Sequence, residues 1–140
     1  MLLSINSKTI ILEKAATLVE IIIVVVIIAI LSAIALPNFN KSKENGYNRE
    51  ANLTLKLIQD AERFYYIEHD NYTICDDNSA VIANLKLNIP TDSTRYWDYK
   101  VTVSSGNFTA KAHRLGDDGR TYCIDASADD PYSDPGRCVW

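Results

Sequence analysis

The residue of this 140-residue sequence whose chemistry most needs an account is Glu20. It stands at the head of "LVEIIIVVVIIAILSAIALPNF", in which every residue from Ile21 to Leu36 is apolar except Ser32. An ionised carboxylate well inside hydrocarbon costs about 2.5–3.5 kcal/mol on insertion scales, so such groups tend to be paired and functional. Lys14 lies six positions earlier, off the three-or-four spacing that joins side chains on one helix face. Either Glu20 lies near the interface and reaches the headgroups, or its partner is on another chain.

Other chemistries are weaker. Cys75, Cys123 and Cys138 are odd in number, so at most one bridge forms within the chain and one thiol is left over. All three follow the apolar run; if that run is exported or anchored, they reach an oxidising compartment where a disulfide persists. No CxxC is present, and His69 and His113 do not sit at ligand spacing from any cysteine, which argues against zinc. Asp129, Asp130 and Asp134 gather the hard oxygen ligands that calcium takes. Their spacing matches no calcium motif, and Pro131 and Pro135 read as a solvated turn, so no metal or other cofactor is expected. There is no serine–histidine–acid set and no phosphate-binding glycine loop. His69 reads as the end of a helix and His113 as an exposed strand position, so no enzyme is expected. From Pro37 onward, 12 Lys and Arg face 16 Asp and Glu, a mildly acidic balance that offers no basic face to nucleic acid.

These residues must be positioned by few elements. With Ala16, Leu18 and Val19 added, the apolar run reaches roughly the 20 residues that cross a bilayer as a helix. Its Ile and Val content favours strands, but a lone segment in hydrocarbon must satisfy its own backbone, so helix is expected. Residues 38–70 turn amphipathic: Leu53, Leu57, Ala61 and Phe64 recur at three-or-four spacing, which predicts one buried stripe flanked by Leu55, Ile58 and Tyr65. Gly46 weakens the first turns, and "EHDN" at 68–71 reads as a stop. Residues 71–140 read as a connector, with a helical stretch at 79–87, and a head. Trp97, Tyr99, Val101 and Val103 alternate, as do Phe108, Ala110 and Ala112, with Ser105-Gly106-Asn107 as a hairpin turn. Gly116-Asp117-Asp118-Gly119 makes a second turn before Tyr122, Ile124 and Ala126. The fold class expected is α+β: a long amino-terminal helix packed on a small antiparallel sheet.

"KAATLVEIIIVVVIIAILSAIALPNF" resembles the class III signal of type IV prepilins and type II secretion pseudopilins. The charged leader would be residues 1–15, ending at Lys14 and Ala15, with Ala16 as the first mature residue. Thr17-Leu18-Val19-Glu20 then falls in register, and Pro37 falls where the family has its proline. Ala15 stands where the family has Gly, and Ala16 where Phe is usual. The resemblance implies cleavage of the Ala15–Ala16 bond by a prepilin peptidase, N-methylation of Ala16, and pairing of Glu20 with a neighbouring subunit's amine to set register. It also implies a filament-core helix over residues 16–37, kinked at Pro37. A Cys123–Cys138 bridge would match the carboxy-terminal loop of many type IV pilins, with pairings through Cys75 as the alternatives. Related major pseudopilins hold calcium near this end, which keeps Asp129, Asp130 and Asp134 as weak candidates.

The implied function is a homopolymeric pilus subunit. Its partners would be copies of itself, the peptidase, a pilus or type II secretion assembly platform, and membrane lipid before assembly. It would lie in a bacterial inner membrane with its head in the periplasm, and then in an extracellular pilus. The alternative within the class is a pseudopilin in a periplasmic filament. The cysteine loop leans toward the pilin, the short head toward the pseudopilin. From another class, a secreted or anchored binding domain would use Lys8 and Lys14 as a positive start, with Ala33-Ile34-Ala35 as the cleavage pattern. That reading leaves Glu20 without a role.

Overall fold

The computed structural model describes residues 17–116 and 119–140. The expected leader, the Ala15–Ala16 bond and Asp117-Asp118 of the second turn lie outside the described residues. Five elements follow in order: α1 (Leu18–His69), α2 (Asn78–Leu85), β1 (Trp97–Ser104), β2 (Asn107–Arg114) and β3 (Thr121–Asp125). The chain divides into two compact units between Lys41 and Ser42, within α1.

The described part of the first unit is helix from Leu18 onward. An α-helix satisfies every interior N–H and C=O within the segment, which explains how a run of β-branched residues adopts it without a partner strand. α1 runs through Pro37. Proline gives no N–H to the carbonyl four residues back, here that of Ala33; next to it, Asn38 Nδ2 donates to the Ile34 carbonyl at 3.2 Å. Every large apolar residue from Leu18 to Phe39 is exposed.

In the second unit, α1 packs on a three-stranded antiparallel meander of order β1-β2-β3. The Ser104–Asn107 pair closes a two-residue turn at Ser105-Gly106, both with positive φ (53° and 75°). That is the turn geometry whose twist suits a hairpin, and Asn107 already belongs to the strand. One face of the sheet presents Trp97, Tyr99 and Val101, then Phe108, Ala110 and Ala112, then Ile124, all buried. Ala51, Leu55 and Ile58 of α1 and Val81 and Leu85 of α2 complete the core. α2 is capped by Asp77, whose Oδ1 accepts from Ala80 N at 2.8 Å, and ends at Lys86 in the left-handed region. Cys75 joins the sheet edge through two backbone hydrogen bonds with Val101.

The buried stripe of α1 differs from the sequence expectation. It is Ala51, Leu55, Ile58, Gln59 and Glu62. Leu53, Leu57 and Phe64 are instead exposed, as is Ile67. Both sets recur at helical spacing, so the helix has two candidate faces. The face that packs is the one whose polar members find partners in the head.

Candidate assembly surface

At the head of α1, Thr17 is the N-cap. Its Oγ1 accepts from Glu20 N at 3.2 Å, while the Glu20 carboxylate accepts from Thr17 N at 3.4 Å. This is a reciprocal capping box, which satisfies two of the orphan donors at a helix start. Sequence reasoning sought a partner for Glu20 at Lys14 and missed Thr17. The signal was present as Thr-x-x-Glu before an apolar run. The carboxylate stays exposed and open to a further donor. Pro37 lies in the same unit, inside the helix.

In the second unit, the exposed face of α1 carries Leu57 at 55% and Phe64 at 70% exposure, against 0% for Leu55 on the opposite face. Exposed apolar side chains repeated along one helix face mark an interaction surface.

The opposite face is held by polar contacts of high sequence separation. Gln59 Nε2 donates to the carbonyls of Asp125 (2.7 Å) and Ala128 (2.8 Å). Glu62 is fully buried; one oxygen accepts from Thr73 N at 3.0 Å, while Oε1 has no partner. Burial pushes its carboxyl up to about 7, despite the Thr73 amide. The neighbouring Cys75 thiol is pushed up to about 11 by burial, then by the Glu62 charge. Lower on the helix, the Arg114 guanidinium lies 4.2 Å from the Tyr47 ring centroid and 3.6 Å from Glu44 Oε1. Arg120 also bonds Glu44 and reaches Asn48 Oδ1 at 3.1 Å. No local sequence pattern announces these pairings, because each joins residues more than ten positions apart.

Cys123 and Cys138 are bridged across 15 residues, and Cys75 is the buried free thiol. Inside the bridged loop, Asp125 Oδ1 accepts from Ser127 N, Ser127 Oγ and Ala128 N, while Oδ2 accepts from Tyr132 Oη. These bonds hold its carboxyl below the usual carboxylate range, the Ser127 hydroxyl foremost. Of the three weak calcium candidates, Asp130 pairs with Lys56 at 2.5 Å and Asp134 accepts from Gly136 N at 2.8 Å. Asp129 is exposed. The Gln59 amide already occupies two carbonyls of this loop. Among the described residues, no group of three or more His, Cys, Asp or Glu could hold a metal.

The histidines are apart from one another. His69 Nδ1 lies 3.1 Å from the Tyr65 carbonyl at the end of α1, and His113 stacks on Trp140 with centroids 5.0 Å apart.

Two known proteins are similar to this chain in sequence. The type IV major pilin protein PilA of Myxococcus xanthus (strain DK1622) is 36% identical over 95 residues, 68% of this chain and 40% of that protein. The competence protein ComGC of Halalkalibacterium halodurans is 43% identical over 58 residues, 41% of this chain and 57% of that protein. The chain thus spans about half the length of these curated relatives. No protein-family model matches the chain. No solved structure matches it at the stringency met by these two proteins.

Proposed function

We propose that the chain is a type IV pilin-like subunit, as its similarity to a type IV major pilin and to ComGC supports, and that it polymerises through α1 into a pilus-like filament after loss of residues 1–15. The observation that carries this reading is the exposed apolar surface of α1. The Leu18–Phe39 stretch has no large apolar residue buried, and the Leu53–Ile67 face is left open by the head. Burying such surface yields about 25 cal/mol per Å2 removed from water. For the Leu18–Phe39 stretch, the two environments that can cover it are lipid before assembly and other copies afterwards. α1 is one helix long and apolar enough to cross a membrane.

Cleavage between Ala15 and Ala16 creates an amino group four residues before Glu20. In the assembled core, with low dielectric and little water, that amine on one copy is the natural partner for the Glu20 carboxylate of the next. The capping box holds the carboxylate at the helix start, where a neighbour can reach it. Methylation of Ala16 keeps the amine cationic. Pro37, with no N–H to donate, is the point at which the helix can bend or open during packing. The head, closed by the Cys123–Cys138 loop, stays outside the core. A prepilin peptidase and an inner-membrane assembly platform are the partners this route requires, and the precursor's head faces the periplasm.

The test is Glu20→Ala in cells that supply the peptidase. Membrane insertion is expected to be unchanged, and incorporation into filaments lost. Filaments formed at the wild-type level would contradict the assigned role of Glu20.

A further inference from the structure

A groove of about 460 Å3 lies between the last turns of α1 and the end of α2. Its apolar lining is Leu57, Ala61, Phe64, Leu85 and Leu87. Asp60 and Glu68 stand exposed on the α1 side. Asp60 is shared with Arg63 at 3.4 Å, and Lys86 on the opposite wall turns its ammonium onto the Ala83 carbonyl. The groove therefore suits an apolar anchor followed by cations.

The chain contains such a segment, Phe39-Asn40-Lys41-Ser42-Lys43. Phe39 is 66% exposed. Among the described residues neither lysine has a carboxylate partner; Lys43 lies 5.7 Å from the Tyr47 ring centroid. We propose that Phe39 of one copy seats in the groove of a second copy, with Lys43, one turn along the same helix face, against the acidic rim of Asp60 and Glu68. The inference rests on the filament reading above and adds the element that each copy offers its neighbour. Anchor and groove occupy different parts of the same chain, so the contact is heterologous. Contacts of that kind propagate into open helical filaments when they do not close into rings. Rival occupants fit less well. The Ile21–Leu36 stretch carries no cation, and Val139 and Trp140 are engaged on the sheet, the Val139 carbonyl accepting from Lys111 Nζ and Trp140 stacking on His113. Complementary charge across an interface, Lys43 against an acidic rim, makes the match selective.

The experiment uses the full chain in filament-forming cells. Phe39→Cys/Phe64→Cys is expected to give an oxidation-dependent ladder of multimers in sheared filaments, whereas either single change gives none. Asp60→Lys/Glu68→Lys is expected to lower filament yield about tenfold, the effect of a 1.4 kcal/mol loss per contact. Adding Lys43→Glu should restore the yield to within about threefold, as a coupled partner does, whereas Lys41→Glu, on the far side of the helix, should not. Lys41, Lys43, Asp60 and Glu68 are all exposed on the helix surface, so the precursor should fold normally. Filaments without the ladder, or an unchanged yield after charge reversal, would overturn the docking. So would a ladder from Val139→Cys/Phe64→Cys in place of the Phe39 pair. If those results came while Glu20→Ala still abolished filaments, the filament reading would stand without this contact. If the unmodified chain formed no filaments, both would fall.

Discussion

The two faces of α1 within the head unit run against simple hydrophobic sorting. The buried face carries a glutamine and a glutamic acid among Ala51, Leu55 and Ile58, while the exposed face carries two leucines, a phenylalanine and an isoleucine. Polar side chains are buried where the head supplies partners: two carbonyls for Gln59, one amide for Glu62. Apolar side chains are exposed where the head supplies no cover. Burial is thus decided by what the fold places opposite each position, and α1 leaves its more apolar face uncovered.

The sharpest way to break this comparison is a matched pair of truncations. Leu55→Ala removes a fully buried side chain and should destabilise the chain in detergent by roughly 2–5 kcal/mol, read from chemical unfolding. Leu57→Ala, two residues on, should stay within about 0.5 kcal/mol, the usual range for surface changes. Equal losses at the two positions would mean that the faces are wrongly assigned.

Glu62 sharpens the comparison next. Its carboxyl is raised from about 4.5 when unfolded to about 7 in the folded chain, so folding favours the protonated form. The contribution is fully present below pH about 4.5 and is lost as pH rises through about 7. Relative to Glu62→Gln, the wild type should therefore lose about 3 kcal/mol between pH 4.5 and 8. Parallel stability–pH curves would show that Glu62 is not the buried acid described. The smallest effect expected is at Gln59. Gln59→Ala should cost about 1–3 kcal/mol, because two carbonyls of the 125–128 loop lose their donor. Amide exchange should quicken in that loop ahead of β1 and β2. Uniform change across the sheet would argue against a local clamp.

Much of this architecture was legible in the residues. The apolar segment, the amphipathic continuation, the short helix near 79–87 and the alternating strands all carry local periodicity, and the observed elements match them to within a few residues. The assignment of the helix face was not legible. A periodicity count gives Leu53, Leu57 and Phe64 more weight than a stripe interrupted by Gln59 and Glu62, and the partners that decide it are 11 to 69 residues away. The Thr17–Glu20 box was the reverse case: a four-residue signal, readable in place, that a search confined to charged partners passed over. The Arg114 contact with Tyr47 and Glu44 had no sequence signal, because the sheet alone brings those residues together.

The most direct test of the account is the intact mass and amino-terminal sequence of the protein recovered from its own membranes, with a matching prepilin peptidase present. The account predicts a chain beginning at Ala16, heavier by one methyl group, with the Cys123–Cys138 bridge intact. A chain beginning at Leu36, or one that still carries Met1 under those conditions, would contradict it.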